Sequence, residues 1–216
     1  MKYLMPLFIL FVFGCPALNK KDMETNHNSK LTSPETISVQ GDFDGDGKQN
    51  ILSQFLADST GRKVEKLPLF EKETWEEIVD YYSRHGYYTA LVMNREVADT
   101  LTFSHSQGLY CLINLGDLNN DERDEIALVV DRLDFSRANY CSIYSLCSTG
   151  WKELFQFNVH EDAFDHTGDM APIYKNIPEV LEHRNGEWRF YDYLDMDYET
   201  EEEVGQMKEL KVGPCN

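Results

Sequence analysis

The sequence predicts a mainly β (α+β) fold: a twisted antiparallel sheet or an open sandwich with one helix. Three observations carry that expectation. Runs rich in Ile, Val, Leu, Tyr and Phe recur from residue 36 to residue 193, broken by Gly, Asn, Asp and Ser, which is the pattern of strands and turns. Two tight hairpin signals, Ser148-Thr149-Gly150 and Asn185-Gly186, lie between such runs. A clear helical period appears over residues 71–85, where Trp75, Ile78, Val79 and Tyr82 fall on one face and Glu73, Glu76, Glu77 and Asp80 on the other.

Taken in order, residues 1–14 read as a secretory signal peptide. Lys2 precedes an apolar run from Tyr3 to Phe13, well short of the roughly 20 residues that span a bilayer as a helix. Val12-Phe13-Gly14-Cys15 resembles the lipobox of bacterial lipoproteins. The resemblance implies acylation of Cys15, a lipid anchor to the membrane and a place on the bacterial cell envelope; cleavage without lipidation is the alternative. Residues 15–35 are polar and read as a flexible tether. A single β-rich domain is expected over 36–216.

In that domain Thr36–Val39 and Ile51–Leu56 are expected strands on either side of a first acidic loop. Gly86 is placed to cap the helix. Tyr87–Met93 and Leu101–Ser104 are strands, as are Leu109–Leu115 and Ile126–Val130, which flank a second acidic loop. The two hairpins are Tyr140–Leu146 with Trp151–Val159, and Pro178–His183 with Trp188–Tyr193. Asp195–Glu203 is an acidic helix or solvated tail. Trp75, Trp151 and Trp188 are expected as core anchors.

Charge narrows the partners. There are 20 basic and 38 acidic residues, a net charge of −18; loss of residues 1–14 removes only Lys2 and gives −19. Such a surface repels nucleic acid and anionic headgroups and suits cations. Beyond Cys15 the cysteines are Cys111, Cys141, Cys147 and Cys215. Export permits up to two disulfides, and buried thiols are the alternative. Cys141 and Cys147 lie in one expected strand, ~20 Å apart if straight, too far to bond each other.

The acidic loops carry the candidate chemistry. In the first, Asp42, Asp44 and Asp46 place carboxylates at alternate positions, followed by the backbone carbonyl of Lys48 and a side-chain oxygen of Asn50. Gly45 and Gly47 let the chain curl with positive φ, so that the oxygens converge. The second repeats the plan with Asp117, Asn119, Asp121, the carbonyl of Arg123, and Glu125, but Asn120 and Glu122 replace the glycines, and this site is expected to be the weaker or to keep the turn without metal. Oxygen ligands without His or Cys favour Ca²⁺ as a structural ion. Position 12 of each loop is Ser53 or Leu128, which excludes the bidentate Glu of an EF-hand.

Gly41-Asp-Phe-Asp-Gly-Asp-Gly47 and Gly116-Asp-Leu-Asn-Asn-Asp-Glu-Arg-Asp-Glu-Ile126 resemble the calcium loops of FG-GAP and VCBS-type repeats. The resemblance implies Ca²⁺ held between antiparallel strands in propeller-blade-like hairpins. Two repeats 75 residues apart do not supply the blades of a closed propeller.

The expected function is a non-enzymatic calcium-binding envelope lipoprotein that acts as a binding or scaffolding module, with a protein or glycan as ligand. A carbohydrate-active hydrolase, or a secreted adhesin or inhibitor, with calcium as a structural ion is the alternative. No catalytic constellation is present: Ser104-His105 lacks a nucleophile elbow. Residues 160–169, with two His and four acids, read as a solvated acidic loop, and the alternating acids from Asp195 to Glu201 as a surface run.

Overall fold

Local chain chemistry sets the helix first. In the computed structural model, which describes residues 30–94, 96–164, 176–195 and 206–215, helix α1 runs over Trp75–His85. Thr74 caps it. Its hydroxyl accepts from the Glu77 N–H, and the Glu77 carboxylate accepts from the Thr74 N–H at 2.7 Å, a capping box that satisfies two donors at once. The helix therefore begins four residues later than the period suggests. Gly86 ends it in the left-handed conformation, at φ 62°, as expected.

Among the described residues there are thirteen strands: β1 (Leu31–Thr32), β2 (Ser38–Gly41), β3 (Asn50–Ala57), β4 (Leu67–Pro68), β5 (Tyr88–Met93), β6 (Glu96–Ser104), β7 (Ser106–Gly116), β8 (Glu125–Arg132), β9 (Ala138–Cys147), β10 (Gly150–His160), β11 (Leu181–Arg184), β12 (Glu187–Phe190) and β13 (Lys208–Glu209). A 3₁₀ turn, Glu161–Ala163, follows β10. The fold is mainly β with antiparallel sheets, none closed into a barrel or propeller. Two four-stranded sheets dominate, ordered β2-β3-β5-β6 and β7-β8-β9-β10. Each starts with a hairpin spanning one of the acidic loops; the β7–β10 sheet is a meander, whereas β4 and α1 intervene between β3 and β5 in the other. A three-stranded sheet, β11-β12-β13, and a two-stranded one, β1-β4, complete the set. Leu31 and Thr32, expected in the tether, thus pair with Leu67 and Pro68.

Three apolar clusters bind the sheets. The first lies between the two four-stranded sheets, with Leu52, Leu91 and Phe103 meeting Leu112, Leu128 and Leu146. The second lies on the opposite face of the β7–β10 sheet, where Ile113, Val129, Ile143 and Phe157 pack with Leu181, Trp188, Phe190 and Leu210. β8 is therefore covered on both faces, and Glu125–Val130 are all buried, which accounts for the unbroken apolar run after Glu125. The third joins α1 to Leu56, Leu67 and Leu133. The two later hairpins form as expected; Asn185 (φ 55°) and Gly186 (φ 86°) both take positive φ, as a two-residue hairpin turn requires.

Cys147 and Cys215 form a disulfide across 68 residues. Cys111 and Cys141 are free and buried. Each is paired with Val129, one from either side, so two strand spacings of ~4.8 Å separate them, beyond disulfide reach. Among the described residues no helix is long and apolar enough to cross a membrane. The signal peptide, Cys15 and most of the Asp195–Glu203 run lie outside the described residues.

Candidate metal centre

Each acidic loop closes a hairpin in the same register. Gly41 pairs with Asn50 across the first and Gly116 with Glu125 across the second, so eight residues turn the chain in both. The backbone torsions match too. Gly45 and Gly47 have φ of 73° and 81°; Asn120 and Glu122, 75 positions on, have 61° and 68°. The second loop keeps the bend that the glycines make easy, and Glu122 bears the steric cost of a left-handed residue, on the order of 1–2 kcal/mol.

The internal hydrogen bonds repeat as well. Asp42 accepts from the N–H groups of Gly45, Asp46 and Gly47 at 2.9–3.1 Å; Asp117 accepts from those of Asp121 and Glu122 at 3.0–3.1 Å. Asp46 and Asp121 each accept from the N–H two residues on, at 2.9 and 3.1 Å. These are Asx turns stacked in series. They aim the first three acids inward: carboxylate oxygens of Asp42, Asp44 and Asp46 lie within 4.8 Å of one another. Three anions this close repel each other unless a cation sits among them. The ammonium of Lys48 supplies part of that charge, 2.7 Å from Asp46 Oδ2. Its hydrogen bond holds the Asp46 carboxyl below the usual carboxylate range, and the acids in turn raise the Lys48 ammonium.

Asn50 departs from its expected role. Its side-chain oxygen accepts from the buried Phe43 N–H at 3.0 Å, and its amide nitrogen approaches Asp44 Oδ2 at 3.3 Å. Glu125 does the same work in the second loop: one oxygen accepts from the Leu118 N–H at 2.7 Å and the other from Asn119 Nδ2 at 3.0 Å. Both residues stand opposite the glycine that enters the loop, and both are buried. They latch the loop base, and their oxygens are already engaged. Burial pushes the Glu125 carboxyl up to about 7, against the lowering effect of the Leu118 N–H.

The second loop offers less to an ion. Asp117 and Asp121 remain as carboxylates and Asn119 Oδ1 is taken by the Asp121 N–H at 2.9 Å. One feature does fit a cation: Asp121 Oδ2 is buried with no hydrogen-bond partner among the described residues. The Arg123 side chain turns across to the first loop, its Nε 3.4 Å from the Asp44 carbonyl oxygen.

The loops also grip each other, through residues that the sequence reading missed. The Asp42 N–H donates to Asp124 Oδ2 at 3.0 Å, and the Asp124 N–H donates to the Asp42 carbonyl at 2.9 Å. Asn114 Nδ2 bridges the Gln40 carbonyl at 2.9 Å and Asp124 Oδ2 at 2.8 Å. Gly41 is required here: a Cβ on it would lie 2.5 Å from Asn114 Nδ2. Pairing across 82 residues leaves no periodic mark in the sequence.

The remaining sequence signals resolve into structure. His105 forms the β6–β7 corner at φ 52°. Within residues 160–169, His160 caps the 3₁₀ turn and Glu161 and Asp162 pair with Arg137; residues 165–169 lie outside the described part. Comparison with protein-family models, curated proteins and solved structures gave no match to this chain.

Proposed function

We propose that this chain is a calcium-binding module of the bacterial cell envelope, tethered through a lipid on Cys15, and that it serves binding or scaffolding rather than catalysis. The observation that carries the proposal is the convergence of Asp42, Asp44 and Asp46 on one point in a loop held open by two positive-φ glycines. Those three carboxylates, with the Lys48 carbonyl, hold the ion. The ion supplies charge neutralisation and rigidity: it binds the folded loop and not the unfolded chain, and so adds to folding stability. An all-oxygen donor set suits Ca²⁺ over a transition metal. The second loop, with two carboxylates and an arginine turned away, is the weaker site. The resemblance of both loops to FG-GAP and VCBS-type repeats supports the same reading, as does their place at the head of the two four-stranded sheets.

A thermal melt in 1 mM CaCl₂ and in excess chelator tests this. An ion present at 100 times its Kd stabilises by about 2.7 kcal/mol, so the midpoint rises by several degrees with calcium, and Asp44→Ala loses most of the rise. Superimposable melts would remove calcium from the account.

A further inference from the structure

We propose that the cleft at the ends of β7 and β8 opposite the acidic loops is a saccharide-binding site, built from the buried amides of Gln54 and Asn139, the Asp131 carboxyl and the aromatic rim formed by Trp75 and Phe135. The cleft has a volume of about 680 Å³, within the ~300–1,000 Å³ of small-molecule sites.

Its floor holds polar groups that the fold leaves unused. Asn139 is 5% exposed, and among the described residues its side-chain amide has no hydrogen-bond partner. Gln54, 2% exposed, gives its amide N–H to the Glu35 carbonyl at 3.2 Å, and its side-chain oxygen has no partner among the described residues. The fully buried side-chain atoms without a partner among the described residues are Asp121 Oδ2 and Ser145 Oγ, so these two amides are not sealed in the core; both line the cleft, where a ligand can reach them. Asp131 stands beside them, fixed by Gln107 Nε2 at 3.0 Å.

The chemistry of the lining selects the ligand. Each amide both donates and accepts, which matches hydroxyl groups, since these do the same. Arg137 is already paired with Glu161 and Asp162, and the remaining Glu35, Asp131 and Asp134 carboxylates against Arg132 make the lining unfavourable to an anion. The amides are the groups that a neutral, hydroxyl-bearing ligand matches. The rim adds the apolar half of the match. The Trp75 indole is fixed by donating to the Asp134 carbonyl at 2.7 Å, and the neighbouring Phe135 is 70% exposed. Flat rings beside hydrogen-bonding groups complement a pyranose, which has C–H faces and a hydroxyl edge.

The test is isothermal titration calorimetry of the full chain with maltose, cellobiose, lactose and N,N′-diacetylchitobiose, in calcium and in chelator. At least one binds with a Kd at or below about 1 mM. Asn139→Ala, which breaks no side-chain hydrogen bond among the described residues, and Phe135→Ala, at an exposed site, each weaken binding about tenfold or more and leave the melting midpoint in place. No heat from any disaccharide at about 10 mM overturns the proposal, as does unchanged affinity in both variants, or spermidine or inorganic phosphate binding in their place. The calcium-dependent melt is independent of this outcome, so failure of the cleft and failure of the metal centre are told apart.

Discussion

Glu122 has the backbone of a glycine. At φ 68° it sits where the first loop has Gly47, and its side chain makes no compensating bond in the loop. Glu122→Gly therefore stabilises the chain by up to ~1 kcal/mol, the left-handed penalty less the backbone entropy of glycine, measured by urea denaturation at fixed calcium. Lys48 gives a second test at this scale. At the proposed calcium site, its ammonium competes with the ion for Asp46, while its carbonyl does not depend on the side chain, so Lys48→Met is predicted to raise calcium affinity a few-fold. A third concerns pH. Burial raises the Asp131 carboxyl from its ordinary 3.8 to about 6. The folded state thus holds that proton more tightly than the unfolded one, and the stability it brings is full below pH 4 and lost as pH climbs through 6. Relative to wild type, Asp131→Asn gains stability between pH 4 and pH 8 in denaturant titrations; parallel pH profiles would contradict the burial argument. At this scale the sequence was legible where a side chain acts on its own loop. The acids at alternate positions could be read directly. The engagement of Asn50 and Glu125 with N–H groups could not, because it depends on the burial of the loop base, which tertiary packing sets.

The hairpin with its eight-residue acidic turn is the repeated element. Each copy begins a four-stranded sheet, and the copies meet loop to loop through Asp42, Asn114 and Asp124. Phe43 secures the first loop to the shared core; it is fully buried among Leu52, Leu91 and Ile126. Phe43→Ala costs about 3–5 kcal/mol and loosens the loop with the core, so it reduces both the melting midpoint and calcium affinity. Strand order in the β7–β10 sheet was close to legible, since short turns favour neighbours in sequence; the pairing of β3 with β5, across β4 and α1, was not. The helix start is legible in principle from Thr74 and Glu77, three residues apart, a signal that the apolar period alone does not carry. The unbroken apolar run of β8 likewise marks a strand covered on both faces. β13 was not legible: Lys208 and Glu209 lie beyond the acidic run, in a stretch without strand patterning, and gain their strand character from pairing with Arg189 and Phe190.

For the whole molecule, two sheets enclose one core and the smaller third sheet and α1 cover further faces. The chain after β12 returns to that structure and is fixed by the Cys147–Cys215 disulfide. Closing a loop of this length contributes typically 2–4 kcal/mol, so Cys215→Ser, or reductant, lowers stability by about that amount in a denaturation series, while Cys111→Ser leaves the disulfide intact. Two thiols and one disulfide could not be assigned from spacing, because the partition depends on which cysteines face each other across strands. The net charge of −18 makes the molecule a poor partner for polyanions, and the first acidic loop gathers three of its carboxylates within 4.8 Å of one another. Calorimetric titration of the chelator-treated chain with CaCl₂ tests that central claim most directly. One dominant site is predicted in the wild-type chain, absent in Asp44→Ala and retained in Asp121→Ala; no saturable heat, or binding that survives Asp44→Ala unchanged, would contradict it.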